Sequence, residues 1–97
     1  MKKYVIERSI PGVGSQSRDQ LHAASTISCC TLDVLGPDIQ WVHSYVTDDR
    51  IYCVYLAENE ELIREHARRA GFPADRISAV RAMIDPTMRA AATAAIA

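Results

Sequence analysis

Residues 40–57 constrain the fold most. Gln40–Thr47 (QWVHSYVT) and Arg50–Ala57 (RIYCVYLA) are two runs of aromatic and β-branched residues, parted only by Asp48 and Asp49. Side chains of this kind lose rotamer freedom against a helical turn and pack well on a pleated surface, and an Asp-Asp pair suits a tight turn. The segment therefore reads as a β-hairpin. A two-residue connection sets its register, with Val46 opposite Ile51, Tyr45 opposite Tyr52, Ser44 opposite Cys53 and His43 opposite Val54. Alternation then sends Val42, Ser44, Val46, Ile51, Cys53 and Tyr55 to one face, and Trp41, His43, Tyr45, Tyr52, Val54 and Leu56 to the other. Neither set is purely polar, which implies a sheet covered on both faces.

The flanking segments complete the pattern. Lys3–Ile10 (KYVIERSI) alternates, with Tyr4 and Ile6 on one side and Val5 and Glu7 on the other, and stops at Pro11-Gly12-Val13-Gly14. Ser15 or Ser17 can cap a helix running to Leu35, where Gly36 and Pro37 end it. Its periodicity places Leu21, Ala24, Ile27, Ser28, Thr31, Val34 and Leu35 on the packed face and His22, Thr26 and Asp33 opposite. Asn59 caps a second helix through Ala70, with Gly71 as its stop and Phe72 and Pro73 beyond, and its apolar arc is Leu62, Ile63, Ala67 and Ala70. Ser78–Ile84 (SAVRAMI) reads as a fourth strand, closed by Asp85-Pro86. The order β-α-β-β-α-β is the split βαβ of an α+β, ferredoxin-like sandwich, a four-stranded antiparallel sheet with two helices on one face. This domain spans residues 1–86, and residues 87–97 form an alanine-rich tail of good helix propensity. Trp41, Tyr45, Tyr52 and Leu56 on the free face would form an apolar patch, so a homodimer packed sheet to sheet, as in a dimeric α/β barrel, is expected.

Charge and cysteine content narrow the function classes. Lys+Arg 11 against Asp+Glu 12 leaves a formal net charge of −1, with no basic footprint for nucleic acid or an anionic membrane. No apolar run approaches the roughly 20 residues of a membrane helix, and an alternating strand follows Met1-Lys2-Lys3 where a signal peptide would carry an apolar block. A cytoplasmic protein with reduced thiols is expected, because three cysteines without a CxxC spacing fit neither a disulfide framework nor a zinc ribbon.

His66 is the most informative polar side chain. It falls in the middle of the apolar arc of the second helix, so its imidazole points at the sheet. It is either a core histidine hydrogen-bonded to a carbonyl or tyrosine, or a metal ligand or acid/base. Cys53 sits mid-strand on the helix side, as a small buried hydrophobe or as a thiolate ligand, and with His66 it makes a competent soft-to-borderline metal set. His43 belongs to the opposite face, where with Trp41, Tyr45, Tyr52 and Glu7 it can line a polar pocket or second metal site at the dimer interface, or simply pair across that interface. Cys29 and Cys30 project about 100° apart on the first helix and read as structural. Glu58, Glu60, Glu61 and Glu65 read as a solvated charge run favoured by the helix dipole. The Gly-Val-Gly loop lacks any phosphate-cradling spacing.

Lys3–Arg8 (KYVIER), Trp41–Tyr55 (WVHSYVTDDRIYCVY) and Arg64–Asp75 (REHARRAGFPAD) closely resemble the nickel-responsive-protein-like family of small bacterial proteins over roughly residues 1–86. The resemblance implies a ferredoxin-like homodimer able to bind Ni²⁺, with Glu7, Ser44, Tyr45, Cys53 and His66 as family-like positions and His43 in the same hairpin. Related branches carry further histidines near the end of the first strand and four residues after the helix histidine, where this chain has Arg8 or Glu7, and Ala70. The expected function is a non-enzymatic divalent-metal protein that sequesters or senses nickel, with metal candidates His66, Cys53, His43 and Glu7. The competing expectation is an enzyme or small-molecule module of the dimeric α/β-barrel kind, with a pocket lined by His66, Tyr55 and Cys53 and His66 as base.

Overall fold

The computed structural model describes residues 1–89. Its elements are β1 (Lys2–Ser9), α1 (Arg18–Leu35), β2 (Ile39–Val46), β3 (Arg50–Ala57), α2 (Glu60–Ala70) and β4 (Arg76–Ala79), with short 3₁₀ turns at Val13–Ser15 and Pro86–Met88. All pairings in the sheet are antiparallel and the strand order is β2-β3-β1-β4, the ferredoxin-like arrangement. The core lies between sheet and helices and is built on Tyr4, Ile6, Ile39, Cys53, Tyr55, Ala57 and Ile63.

Local chemistry accounts for the helix ends. Ser17, not Ser15, is the N-cap of α1: its Oγ accepts from Gln20 N at 3.1 Å while Gln20 Oε1 accepts from Ser17 N at 2.8 Å, a capping box. Asn59 caps α2 by accepting from Leu62 N at 3.0 Å. Gly71, at φ 78, closes α2 in the left-handed region that a side chain disfavours, and Gly71 N and Phe72 N both donate to Ala67 O. Residues 10–14 clasp the hairpin turn, with Ile10 N donating to Asp49 O, Gly14 N to Asp48 O and Gly12 N to Asp49 Oδ1, each at 2.9 Å. Gly14 is required by closeness: a Cβ there would stand 2.8 Å from Asp48 Cα and 2.8 Å from Thr47 O.

The hairpin register is the expected one from Val46/Ile51 to His43/Val54, and then it shifts. Trp41 pairs with Tyr55, leaving Val42 as the extra residue of a β-bulge. An inserted residue reverses the alternation beyond it, so Trp41 turns to the helix side, packs against the core and donates from Nε1 to Ser44 Oγ at 2.9 Å. The free face of the sheet therefore carries Tyr45, Tyr52, Val54 and Leu56 but not Trp41, and Tyr45 is 61% exposed.

The packed face of α1 also differs from expectation. Ser28 is buried, and Leu32 and Leu35 pack on the core, while Ile27 and Val34 are exposed. Apolar residues surround much of this helix, so periodicity leaves its rotation open. The buried hydrogen bonds of Ser28 to α2 and β3 select it. The fourth strand is shorter and earlier than expected, Arg76–Ala79, with Val80 N adding one bond to Lys3 O, and residues beyond it do not pair. Of the alanine-rich tail, Thr87 and Met88 lie in a single 3₁₀ turn, Pro86–Met88, capped by Asp85, and residues 90–97 lie outside the described residues.

Candidate functional site

Alternation along β1 puts Tyr4, Ile6 and Arg8 on the helix side, and Arg8 is only 2% exposed. It faces Cys53 and Tyr55 of β3. Its Nε donates to Cys53 Sγ at 3.4 Å, its Nη1 donates to Pro73 O at 2.6 Å, and its guanidinium carbon lies 5.6 Å from the centre of the Phe72 ring. Among the described residues no carboxylate pairs with it, and Nη2 is buried without a partner.

A second polar cluster adjoins the first. Ser28 Oγ lies 3.0 Å from His66 Nε2 and 3.3 Å from the Tyr55 hydroxyl, a chain that links α2, α1 and β3. His66 is fully buried, with the Tyr55 and Phe72 ring centres 5.2 and 6.3 Å from its own and Nδ1 unpartnered. Burial, reinforced by the positive charge of Arg8, lowers its pKa to about 4, so the imidazole is neutral at pH 7; the Ser28 bond opposes this shift. Burial likewise raises the Tyr55 phenol above 10.0, against the Ser28 bond and Arg8, and it stays protonated.

These groups border a cleft of about 530 Å³ between α1, the β2–β3 end of the sheet and the Gly71–Pro73 loop. Arg8, Ser28, Cys53 and Tyr55 supply its polar wall; Trp41, Ile51, Val13, Leu21 and Phe72 supply apolar surface. His66 stands behind Ser28 and Tyr55 and does not line the cleft, which removes it as a base acting on a molecule held there.

His66 and Cys53 thus both enter the helix-side interior, but the guanidinium of Arg8 comes with them. A divalent cation at this point would face a buried positive charge with no acid to offset it, so this donor set does not fit Ni²⁺. Among the described residues, no three His, Cys, Asp or Glu side chains converge into a metal site. Glu7 and His43 lie on the other face: Glu7 pairs across to Tyr52, Tyr52 to Tyr45, and His43 is two residues along β2. His43 is exposed and packs edge-on to Tyr45 at 5.0 Å between ring centres. Glu7 lies 3.8 Å from both Arg50 and Arg76, distances at which the pairs are weak.

The other candidates resolve into structure. Glu60 pairs with Arg64, and Glu65 with Arg68 and Arg69, so much of the acidic run of α2 is spent on helical ion pairs. Cys29, Cys30, His22 and Asp33 are exposed. Sequence reasoning missed Arg8. The available signal was its place two residues after Ile6 and four after Tyr4, which puts a charge on the buried phase of the strand.

The family model described as nickel responsive protein SCO4226-like matches residues 4–80. The crystal structure of SCO4226 from Streptomyces coelicolor A3(2) is similar at a TM-score of 0.69 and 22% identity, over 84% of this chain and 99% of that one. That likeness extends to the fold. No curated protein matches the chain.

Proposed function

The chain belongs to the nickel-responsive, SCO4226-like family, and from that premise we propose that it is a non-enzymatic homodimer of the cytoplasm that holds Ni²⁺ or a similar divalent ion on the open face of its sheet, to sequester or to sense it. The observation that carries this reading is that His43 and Glu7 share that face, flanking the exposed Tyr45 and half-buried Tyr52. Interstrand spacing of about 4.8 Å sets these two residues on strands roughly 10 Å apart, too far for the pair to close on one ion without further donors. A two-fold packing of sheet on sheet doubles the set to two imidazoles and two carboxylates, and it covers the tyrosines at the same time. Imidazole and carboxylate suit Ni²⁺, and the Irving–Williams order favours it over earlier divalent ions.

The test is sedimentation velocity and Ni²⁺ calorimetry on tag-free protein. Wild type should sediment as a dimer, and His43→Ala or Glu7→Gln should weaken Ni²⁺ binding by about tenfold or more. His66→Gln and Cys53→Ser should leave the affinity unchanged. Loss of binding confined to the His66 and Cys53 variants would overturn this reading, as would a monomer.

A further inference from the structure

A guanidinium does not lose its proton inside a protein, and an isolated buried charge is strongly unfavourable unless something offsets it. Arg8 is such a charge, 2% exposed, with a thiol, a carbonyl and an aromatic face as its surroundings. The thiol and carbonyl satisfy two of its donor positions but bring no formal negative charge when the thiol is protonated, and Nη2 has no acceptor among the described residues. The same arginine forms part of the wall of a cleft whose volume, about 530 Å³, falls in the ordinary range for small-molecule sites. Two neutral hydroxyls, Ser28 and Tyr55, stand 3.3 Å apart in that wall; when Nε2–H of His66 donates to Ser28 Oγ, the bond between the two hydroxyls uses one of their protons and leaves the other for an oxyanion. The remainder is largely apolar and aromatic, with Trp41 brought there by the bulge at Val42.

We propose that this cleft binds a small organic monocarboxylate, with the anionic head set against Arg8, Ser28 and Tyr55 and an apolar or aromatic body against Trp41 and Phe72. A single guanidinium with neutral hydroxyls matches one negative charge. The apolar wall disfavours a fully hydrated inorganic anion, which would have to give up its water there. The cleft lies on the helix side of the sheet and the proposed metal face on the other, so the two sites share no side chain. The carboxylate experiment runs with a chelator present, and its failure leaves the metal reading untouched.

Trp41 is the single tryptophan of the chain and lines the cleft, so its fluorescence reports on occupancy. The protein is titrated with 3-phenylpropionate and, separately, with its uncharged isostere 3-phenylpropanamide. The carboxylate should give a saturable change, and the amide should bind about ten- to a hundredfold more weakly, the loss expected for one charge-assisted hydrogen bond. Arg8→Met should lose the preference for the carboxylate. Ala24→Phe, which puts a ring into the cleft from α1, should weaken binding of both compounds. An excess of inorganic phosphate should not displace the carboxylate. The proposal fails if neither compound saturates, if amide and carboxylate bind alike, if phosphate competes, or if a folded Arg8→Met variant keeps the preference. Should Arg8→Met not fold, the comparison of amide with carboxylate on the wild type decides alone.

Discussion

Acidification should unfold this protein through His66 in particular. Its imidazole is fully buried and faces Ser28 of α1, Tyr55 of β3 and Phe72, with the Arg8 charge of β1 nearby. In the folded state its pKa is about 4, against 6.5 for a histidine in the unfolded chain. A histidine whose folded pKa is depressed binds protons more readily when unfolded, so stability is intact above pH 6.5, declines as the pH falls from 6.5 to 4, and levels off below that. The two values imply a loss of about 1 kcal/mol at pH 6, about 2 kcal/mol at pH 5 and about 3 kcal/mol at pH 4, a large share of the 5–15 kcal/mol typical of a domain. Urea denaturation of wild type and His66→Gln, followed by far-ultraviolet circular dichroism between pH 7.5 and about 4.5, isolates this term, because the carboxylates are common to both. The amide of Gln keeps a partner for Ser28 and cannot titrate. The stability difference between the proteins should shift in favour of the variant by about 2 kcal/mol between pH 7.5 and pH 5. Parallel pH profiles would refute the reasoning, since they would mean that the ring reaches solvent or finds an acid partner when protonated.

Three further outcomes follow from the packing. Tyr45→Lys places an ammonium on the face proposed to pair in the dimer, and analytical ultracentrifugation should show monomer; an unchanged dimer would place the interface elsewhere. Gly14→Ala forces a methyl against the backbone of Thr47 and Asp48, so thermal denaturation should show a loss of about 1–3 kcal/mol, whereas Gly36→Ala, where no atom lies within 4 Å, tests backbone strain alone. Ser17→Ala removes the capping box of α1 and should lower stability by about 1 kcal/mol, with the deficit recovered in Ser17→Asp.

The hairpin, the second helix and the element order were legible in the sequence because they rest on local chemistry. The Asp48-Asp49 turn and the alternation on each side set the Tyr45/Tyr52 and Ser44/Cys53 pairs, and Asn59 and Gly71 mark the ends of α2 with His66 inside its apolar arc. The family resemblance was legible in the same segments. Three features were decided only in three dimensions. One is the bulge at Val42, which moves Trp41 from the free face into the cleft: periodicity counts residues and cannot tell that one has been left unpaired. Another is the rotation of α1, whose apolar residues leave more than one face possible until Ser28 meets His66 and Tyr55, residues 38 and 27 positions away. The last is the environment of Arg8 and Cys53. Alternation assigns both to the buried side of the sheet, but only the pairing of β1 with β3, which sets Ile6 against Cys53, brings a guanidinium onto that thiol. Sequence periodicity set His66 and Cys53 on facing elements as a candidate metal pair; the sign of the local charge, which governs whether a cation or an anion is held there, comes from a strand 45 residues distant.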